Sequence, residues 1–295
     1  MIKLLWNTHN QNKESLKDTK SQEARDYVWG LYHKENSNKW IDEILKEITL
    51  KTIHSINDLE NGDTLIIIDS SIEKKSEFYD KLSLICPKMF LIHLGDESGA
   101  FNLSLIYNKF NHVWRAFCLN KYFNNKKISC LPIGYKSGVA FEKKILKRKN
   151  KWAFIGTPHK SSRHDLLFQL SEIKPSFSFQ TKKFNEKIMG VSEMNDILLS
   201  TEFIPCPNGF VHPETYRLYE SLECGCIPIV ENTYKYYDRL FPKNPFLKVD
   251  IWKEAKILIK EWKSDRIIEK QEECIIWWKD QKKQIQEFIK EKVIL

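Results

Sequence analysis

The chain reads as an α/β protein of two open, doubly wound parallel lobes facing each other across a cleft. Three observations predict this. Short apolar runs alternate with helical patterns throughout the 295 residues. The runs, such as Thr64–Asp69, are uniformly apolar rather than alternating, as expected of parallel strands covered on both faces. A basic stretch, Glu142–Lys151, separates two βα-rich halves, and the length suits two lobes of roughly 130–150 residues each.

Strands are expected at Ile2–Trp6, Thr64–Asp69, Met89–Leu94, Val113–Cys118, Ile128–Ile133, Trp152–Ile155, Phe203–Cys206 and Cys226–Val230. Helical patterns fall between them at Lys39–Ile48, Ser162–Leu170, Glu193–Leu199 and Glu214–Cys224. The charge run Glu142–Lys151 reads as a solvated connection, giving lobes over 1–145 and 146–265. Asp265–Val293 reads as one long helix with an apolar stripe through Ile275, Trp278, Ile285 and Ile289. Such a basic, striped helix fits a membrane surface or, as the stronger expectation, packing on or across the lobes.

Composition narrows the function classes. A net charge of +8, from 47 basic and 39 acidic residues, favours anionic ligands without a concentrated basic arm. No helix-turn-helix or zinc-finger pattern accompanies it, so nucleic acid is not the expected partner. The seven cysteines lack a CxxC pair, which predicts buried free thiols and no metal site. The N-terminus has too short an apolar core for a signal peptide, and no run approaches the roughly 20 residues that span a bilayer. The expectation is a cytoplasmic protein, peripheral to a membrane at most.

The densest signal lies at Phe203–Val230, which parses as strand, loop with Asn208 and Gly209, helix, glycine stop at Gly225, and strand. Pro213 suits a first helical turn. The loop belongs at the C-terminal edge of a parallel strand, where open α/β sheets bind ligands, and its amides favour phosphate. Arg217 and Glu220, three residues apart, share one helix face: a cation for a diphosphate and a carboxylate for two ribose hydroxyls. Alone, the same spacing also describes a surface ion pair worth about 0.3–0.5 kcal/mol.

In sequence these residues do not stand alone. Pro207, Thr215, Arg217, Glu220, Leu222 and Gly225-Cys-Ile-Pro-Ile-Val230 together resemble the nucleotide-binding motif of exostosin-like glycosyltransferases. Met194–Pro205 and Asp238–Asp250 are similar to segments flanking that motif, so the resemblance covers roughly residues 150–265. It implies a GT-B fold of two Rossmann-like domains, an inverting transfer, and a nucleotide sugar as substrate without a catalytic metal or other cofactor, a UDP-sugar being the first choice. Fucosyltransferases share the Glu220…Gly225…Pro228 ending, so a fucosyl-type transferase or a non-catalytic binding module stays open.

Two further segments complete the expected site. Phe154-Ile-Gly156 followed by a helix with Arg163 in its first turn resembles the family turn that sets an arginine against donor phosphates; His159 and Lys160 are weaker candidates. In the N-terminal half, Asp96 and Glu97 end an apolar strand, where one carboxylate could strip the acceptor hydroxyl, with His93 third in line. Val113-Trp-Arg115 and Leu131-Pro-Ile-Gly134 also look like exostosin-type segments, with Arg115 facing a phosphate or an acidic acceptor. The expected reaction moves a sugar from its nucleotide to a glycan or glycoconjugate acceptor.

Overall fold

Two all-parallel sheets carry the chain in the computed structural model, which describes residues 1–7, 22–136, 138–139, 148–182 and 189–295. The first sheet has β1 (Ile2–Trp6), β2 (Lys51–Ile53), β3 (Thr64–Asp69), β4 (Lys88–His93), β5 (His112–Arg115) and β6 (Ile128–Cys130), in the order β2-β1-β3-β4-β5-β6. Register runs Leu4 to Ile66 and Ile67 to Leu91. The second has β7 (Asn150–Gly156), β8 (Ser176–Gln180), β9 (Thr201–Cys206), β10 (Ile227–Glu231) and β11 (Leu247–Val249), in the order β11-β10-β9-β7-β8. Each sheet reverses its direction of winding once, between β1 and β3 and between β7 and β9. Both are therefore doubly wound and Rossmann-like.

Helices cover the sheets because the strands leave no polar face to water. In the first sheet Leu65, Ile67, Met89, Leu91 and Val113 are fully buried, packed with Tyr79 and Leu82 of α2 (Ser76–Ile85). Before them come α1 (Gln22–Leu45), and after them the single turn α3 (Ser104–Tyr107). In the second, Trp152, Phe154, Phe203, Ile227 and Ile229 meet Leu166 and Leu170 of α4 (Arg163–Leu170). Trp252 and Ile259 of α8 (Trp252–Glu261) join the same core. Each such side chain contributes about 1.5–3 kcal/mol by leaving water. The remaining helices are α5 (Val191–Leu199), α6 (Tyr216–Glu223), α7 (Tyr236–Leu240) and α9 (Ser264–Ile294).

The chain divides into two compact units, 1–133 with 284–295, and 134–283. Within the second, α9 buries Cys274 and Trp278, whose Nε1 donates to Glu223 (2.8 Å), while Trp277 stands edge-on to Phe241 and Phe246. Within the first, its Gln286 donates to the Glu43 carbonyl (3.0 Å) and Ile289 is fully buried. The stripe therefore packs on protein. No helix among the described residues is long and apolar enough to cross a membrane.

Two expectations are corrected here. Of the basic run, residues 142–147 lie outside the described residues, but Arg148 is no solvated charge. Its Nη1 donates to the carbonyls of Leu198 and Thr201 (2.9 and 2.8 Å), and its Nη2 to those of Cys224 and Gly225 (2.8 and 2.9 Å). One guanidinium thus closes the C-terminal ends of α5 and α6, where carbonyls have no partner in the helix. Nor are all the cysteines free: Cys118 and Cys130 form a disulfide, with Cα atoms 5.3 Å apart, while the other five are buried thiols.

Gly95, in the loop after β4, shows how tightly the first sheet's edge is built. A Cβ there would lie 1.7 Å from the Ser70 carbonyl oxygen, a backbone atom of the loop after β3. Gly95→Ala must force the two loops apart, and overpacking of this kind costs about 3 kcal/mol. Urea unfolding should show that loss; one below about 1 kcal/mol would mean that the loops are free to shift.

Candidate functional site

Open α/β sheets bind ligands beyond the carboxyl ends of their strands, where the winding reverses. In the second sheet that point lies between Gly156, the last residue of β7, and Cys206, the last of β9. Beyond it stand Thr157 and Arg163 from one side and the 207–215 loop with α6 from the other.

Arg217 is locked in place. Its Nη2 donates to the Ile155 carbonyl (2.7 Å), and its guanidinium lies over the Phe154 ring at 4.6 Å. Gly156, at φ +144°, makes room for it, since a Cβ there would meet Nη2 at 2.8 Å. The other amino group, Nη1, is buried without a partner. Arg163, only 8% exposed, donates through Nη1 to the Thr157 carbonyl (2.9 Å), while its Nε is buried and unpaired. Burial, then the like charge of Arg217, brings the Arg163 pKa down to about 10, with the Glu231 carboxylate acting in the opposite sense. Burial also lowers the Arg217 pKa. Both remain cations at neutral pH, each with a donor aimed at nothing, at a cost the free protein bears.

The loop is held from below. Glu231, the last residue of β10, accepts the Asn208 backbone N–H (2.7 Å), and Asn208 Nδ2 donates to Thr233 Oγ1 (2.8 Å). Ser161 Oγ donates to the Asn208 carbonyl (3.2 Å). Deeper, buried Glu214 accepts the hydroxyls of Tyr219 and Tyr236, the latter at 2.7 Å, and Tyr237 donates to the Pro213 carbonyl (2.8 Å). Two polar atoms on the loop stay buried and unpaired: Asn208 Oδ1 and Thr215 Oγ1.

Gly156, Arg163, Asn208, Gly209, Thr215, Arg217 and Glu220 therefore come from β7, α4, the 207–215 loop and α6 at one sheet edge. Three details differ from the sequence reading. The helix begins at Tyr216, not Glu214, because Glu214 is engaged with tyrosines and Pro213 lies in the loop. Glu220 is 9% exposed; burial raises its pKa, while Arg217 and the Lys136 backbone N–H act the other way. It is buried, not half of an exposed ion pair at the surface. Lys160 lies over the Phe210 ring at 4.9 Å, and His159 stacks obliquely near His164 (5.6 Å). Glu231 and Glu214 were missed, the first because it merely ends an apolar run.

The first sheet's edge is of another kind. Arg115 is fully buried: Nη1 donates to the Tyr107 hydroxyl (2.6 Å) and to His93 Nδ1 (3.0 Å), and Nη2 to the Asp96 carbonyl (2.7 Å) and carboxylate (3.0 Å). Its two amino groups pin the loop after β4, which argues against the ligand role expected of it, although its Nε is buried without a partner. Asp96 is corrected with it: its side chain is 1% exposed, takes Arg115 on Oδ2 and the Ala100 N–H on Oδ1 (2.9 Å), and the residue turns at φ +54°. A carboxylate so enclosed holds a turn. Burial, and then Arg115, keep the His93 pKa well below the usual imidazole value, so it is neutral. Glu97, half-buried, stands at the turn beside them. At the β1–β3 edge, Asp69 accepts from Lys75, Tyr79, Asn7 and the Ser71 N–H. No cluster of three or more His, Cys, Asp or Glu suited to a metal occurs among the described residues.

No curated protein matches the sequence. A solved α1,3-fucosyltransferase structure is similar to the chain at 13% identity and a TM-score of 0.47, over 92% of this chain and 80% of that one. Residues 140–293, just over half of the chain, match the model of the RXYLT1 C-terminal domain. The match spans every residue of the second sheet edge described above, and the chain belongs to that family, within the exostosin-like glycosyltransferases.

Proposed function

We propose that this glycosyltransferase draws its sugar from a nucleoside-diphosphate donor bound at the β7–β9 edge and passes it, with inversion and without a catalytic metal, to a glycan or glycoconjugate acceptor. The observation that carries the reading is the pair of buried, unpaired guanidinium donors, Arg163 Nε and Arg217 Nη1, at the point where the sheet reverses. A diphosphate supplies the acceptors that both lack. In the transfer, negative charge grows on the departing nucleoside diphosphate, and cations already fixed in a dry site stabilise it without reorganising. Thr215 Oγ1 and the loop amides near Gly209 stand by for the remaining oxygens. The acceptor hydroxyl loses its proton to a carboxylate; of the Asp96–Glu97 pair, Glu97 is the one open to solvent and takes that role in this reading. UDP is the first nucleotide to try. The donor-binding half is the second unit, and the acceptor belongs to the first.

Thermal unfolding in the presence of nucleoside diphosphates and their sugars tests it. A ligand at 100 times its Kd adds about 2.7 kcal/mol, read as a raised Tm. Transfer or slow hydrolysis of the same nucleotide sugar should follow. A protein indifferent to every nucleoside diphosphate and nucleotide sugar would sink the proposal.

A further inference from the structure

We infer that the first unit docks on an anionic lipid surface through the edge where its strands begin, opposite the edge that carries Arg115 and Asp96. Such a surface is independent of the donor site, which lies on the second sheet. Three parallel strands start side by side: β4 at Lys88, β5 at His112 and β6 at Ile128, with Phe90 opposite His112 and Val113 opposite Ile128. The connections that feed them carry lysines: Lys88 opens β4, Lys109 precedes β5, and Lys126 and Lys127 precede β6. From α9, Phe288 brings its ring to 5.8 Å from that of His112, which puts Lys292, one helical turn on, at the same edge. Burial, then Lys292, then Lys127 lower the His112 pKa to about 4, so both cations are felt at one imidazole.

Little acid answers these charges. Asp80 takes Lys109, and Asp63 is held by Lys3. Glu287 and Glu291 flank Lys292 along α9, but among the described residues no carboxylate lies within ion-pair distance of Lys88, Lys126, Lys127 or Lys292. The turn before β6 is fixed, since Asn125 Oδ1 accepts the N–H groups of Lys127 and Ile128 (2.8 and 2.9 Å) and Lys127 Nζ donates to the Asn108 carbonyl (2.7 Å). Lys126 stands exposed at its tip. Beside these cations α2 ends on Leu84 and Ile85, which are 86% and 52% exposed. Val113 faces α2 while His112, its neighbour, faces α9, so the charges lie along an edge from both sides of the sheet, as contact with a plane requires. Unmatched lysines meet lipid phosphates, and apolar side chains among them enter the acyl boundary. The far end of β4, six residues long, is about 20 Å away and stays in solution.

Sedimentation of the full chain with phosphatidylcholine vesicles, with and without phosphatidylglycerol, tests this docking. Wild-type protein should pellet with the anionic vesicles and remain in solution with the neutral ones. Raising the salt from about 0.01 to 1 M shortens the Debye length from roughly 30 to 3 Å and should release most of it. One lysine near an anionic surface contributes about fivefold in partitioning, so the double variant Lys88→Gln, Lys126→Gln should bind roughly 20-fold more weakly. The double variant Leu84→Ser, Ile85→Ser should lose at least about threefold on the same vesicles. Melting curves and nucleotide affinity should match the wild type for both, which separates lost docking from lost folding. A wild type that ignores anionic vesicles, or pellets equally with neutral ones, overturns the inference. So does either double variant if it is folded and binds vesicles as the wild type does.

Discussion

Arg217→Met should abolish measurable binding of the nucleoside diphosphate, about 100-fold or more in Kd, while the ligand-free protein loses less than about 1 kcal/mol of stability. Removing one partner of a buried, charged contact typically costs a complex about 2–5 kcal/mol. The free protein is largely spared because the attraction of Glu220 is offset by the cost of burying this cation beside Arg163. The guanidinium has left water, has Arg163 as a like-charged neighbour, and makes one hydrogen bond to protein, to Ile155, plus its contact with the Phe154 ring. Methionine keeps the apolar stem against that ring. Turnover should fall further than ground-state affinity, roughly 10²–10³-fold, if the cation meets charge that develops only as the bond breaks. Arg217→Lys should not rescue, since an ammonium cannot hold the Ile155 carbonyl and a phosphate in the same fork. Titration and melting curves on the same samples decide the matter. Binding that survives with a collapsed Tm would make Arg217 a structural residue.

The opposite signature is expected at Arg148. Arg148→Met should destabilise the second unit by about 3–5 kcal/mol, the cost of leaving carbonyls around a broken charged network without donors. Four carbonyls depend on this side chain, two near the end of α5 and two just past α6. At roughly 2–4 °C per kcal/mol for a unit of this size, the Tm falls by about 6–20 °C. Arg148→Lys reaches fewer carbonyls and should recover only part of the loss. Nucleotide affinity, measured at a temperature where the variant is still folded, should stay within about threefold of wild type, because none of the four carbonyls belongs to the ligand edge. A shift of less than about 1 kcal/mol would show that water satisfies those groups just as well.

These two arginines mark what the sequence could and could not disclose. The parallel sheets were legible because strands covered on both faces must be apolar throughout, as in Leu65–Ile68. The strand–loop–helix–strand segment from β9 to β10 was legible because a loop, a helix and a glycine stop at Gly225, with φ +63°, follow one another within a single stretch. Short strands escaped notice: Lys51–Ile53 and Leu247–Val249 have too few residues to show a period, and Ser176–Gln180 is a half-exposed edge strand. Arg148 lay hidden in a run of lysines, since its partners are carbonyls that any residue could supply. Arg115 and Asp96, 19 residues apart, gave no sign that each would neutralise the other. Glu231 was indistinguishable from the polar residue that ends many strands.

The two sheets share a winding plan, but only the first joins its edge charges in contact ion pairs among the described residues. In the first, Asp69 meets Lys75 at 2.7 Å and Asp96 meets Arg115 at 3.0 Å. Such contact pairs present a diffusing anion with dipoles, whose pull fades within a few ångströms. At the second edge Arg163 and Arg217 feel the Glu231 and Glu220 carboxylates without a contact ion pair among the described residues, so their fields cancel less completely and are screened over about a Debye length, roughly 8 Å in physiological salt. On the donor-site proposal, an approaching nucleotide is drawn to the second edge and not to the first. Added salt should slow that capture while leaving the rate of escape nearly unchanged.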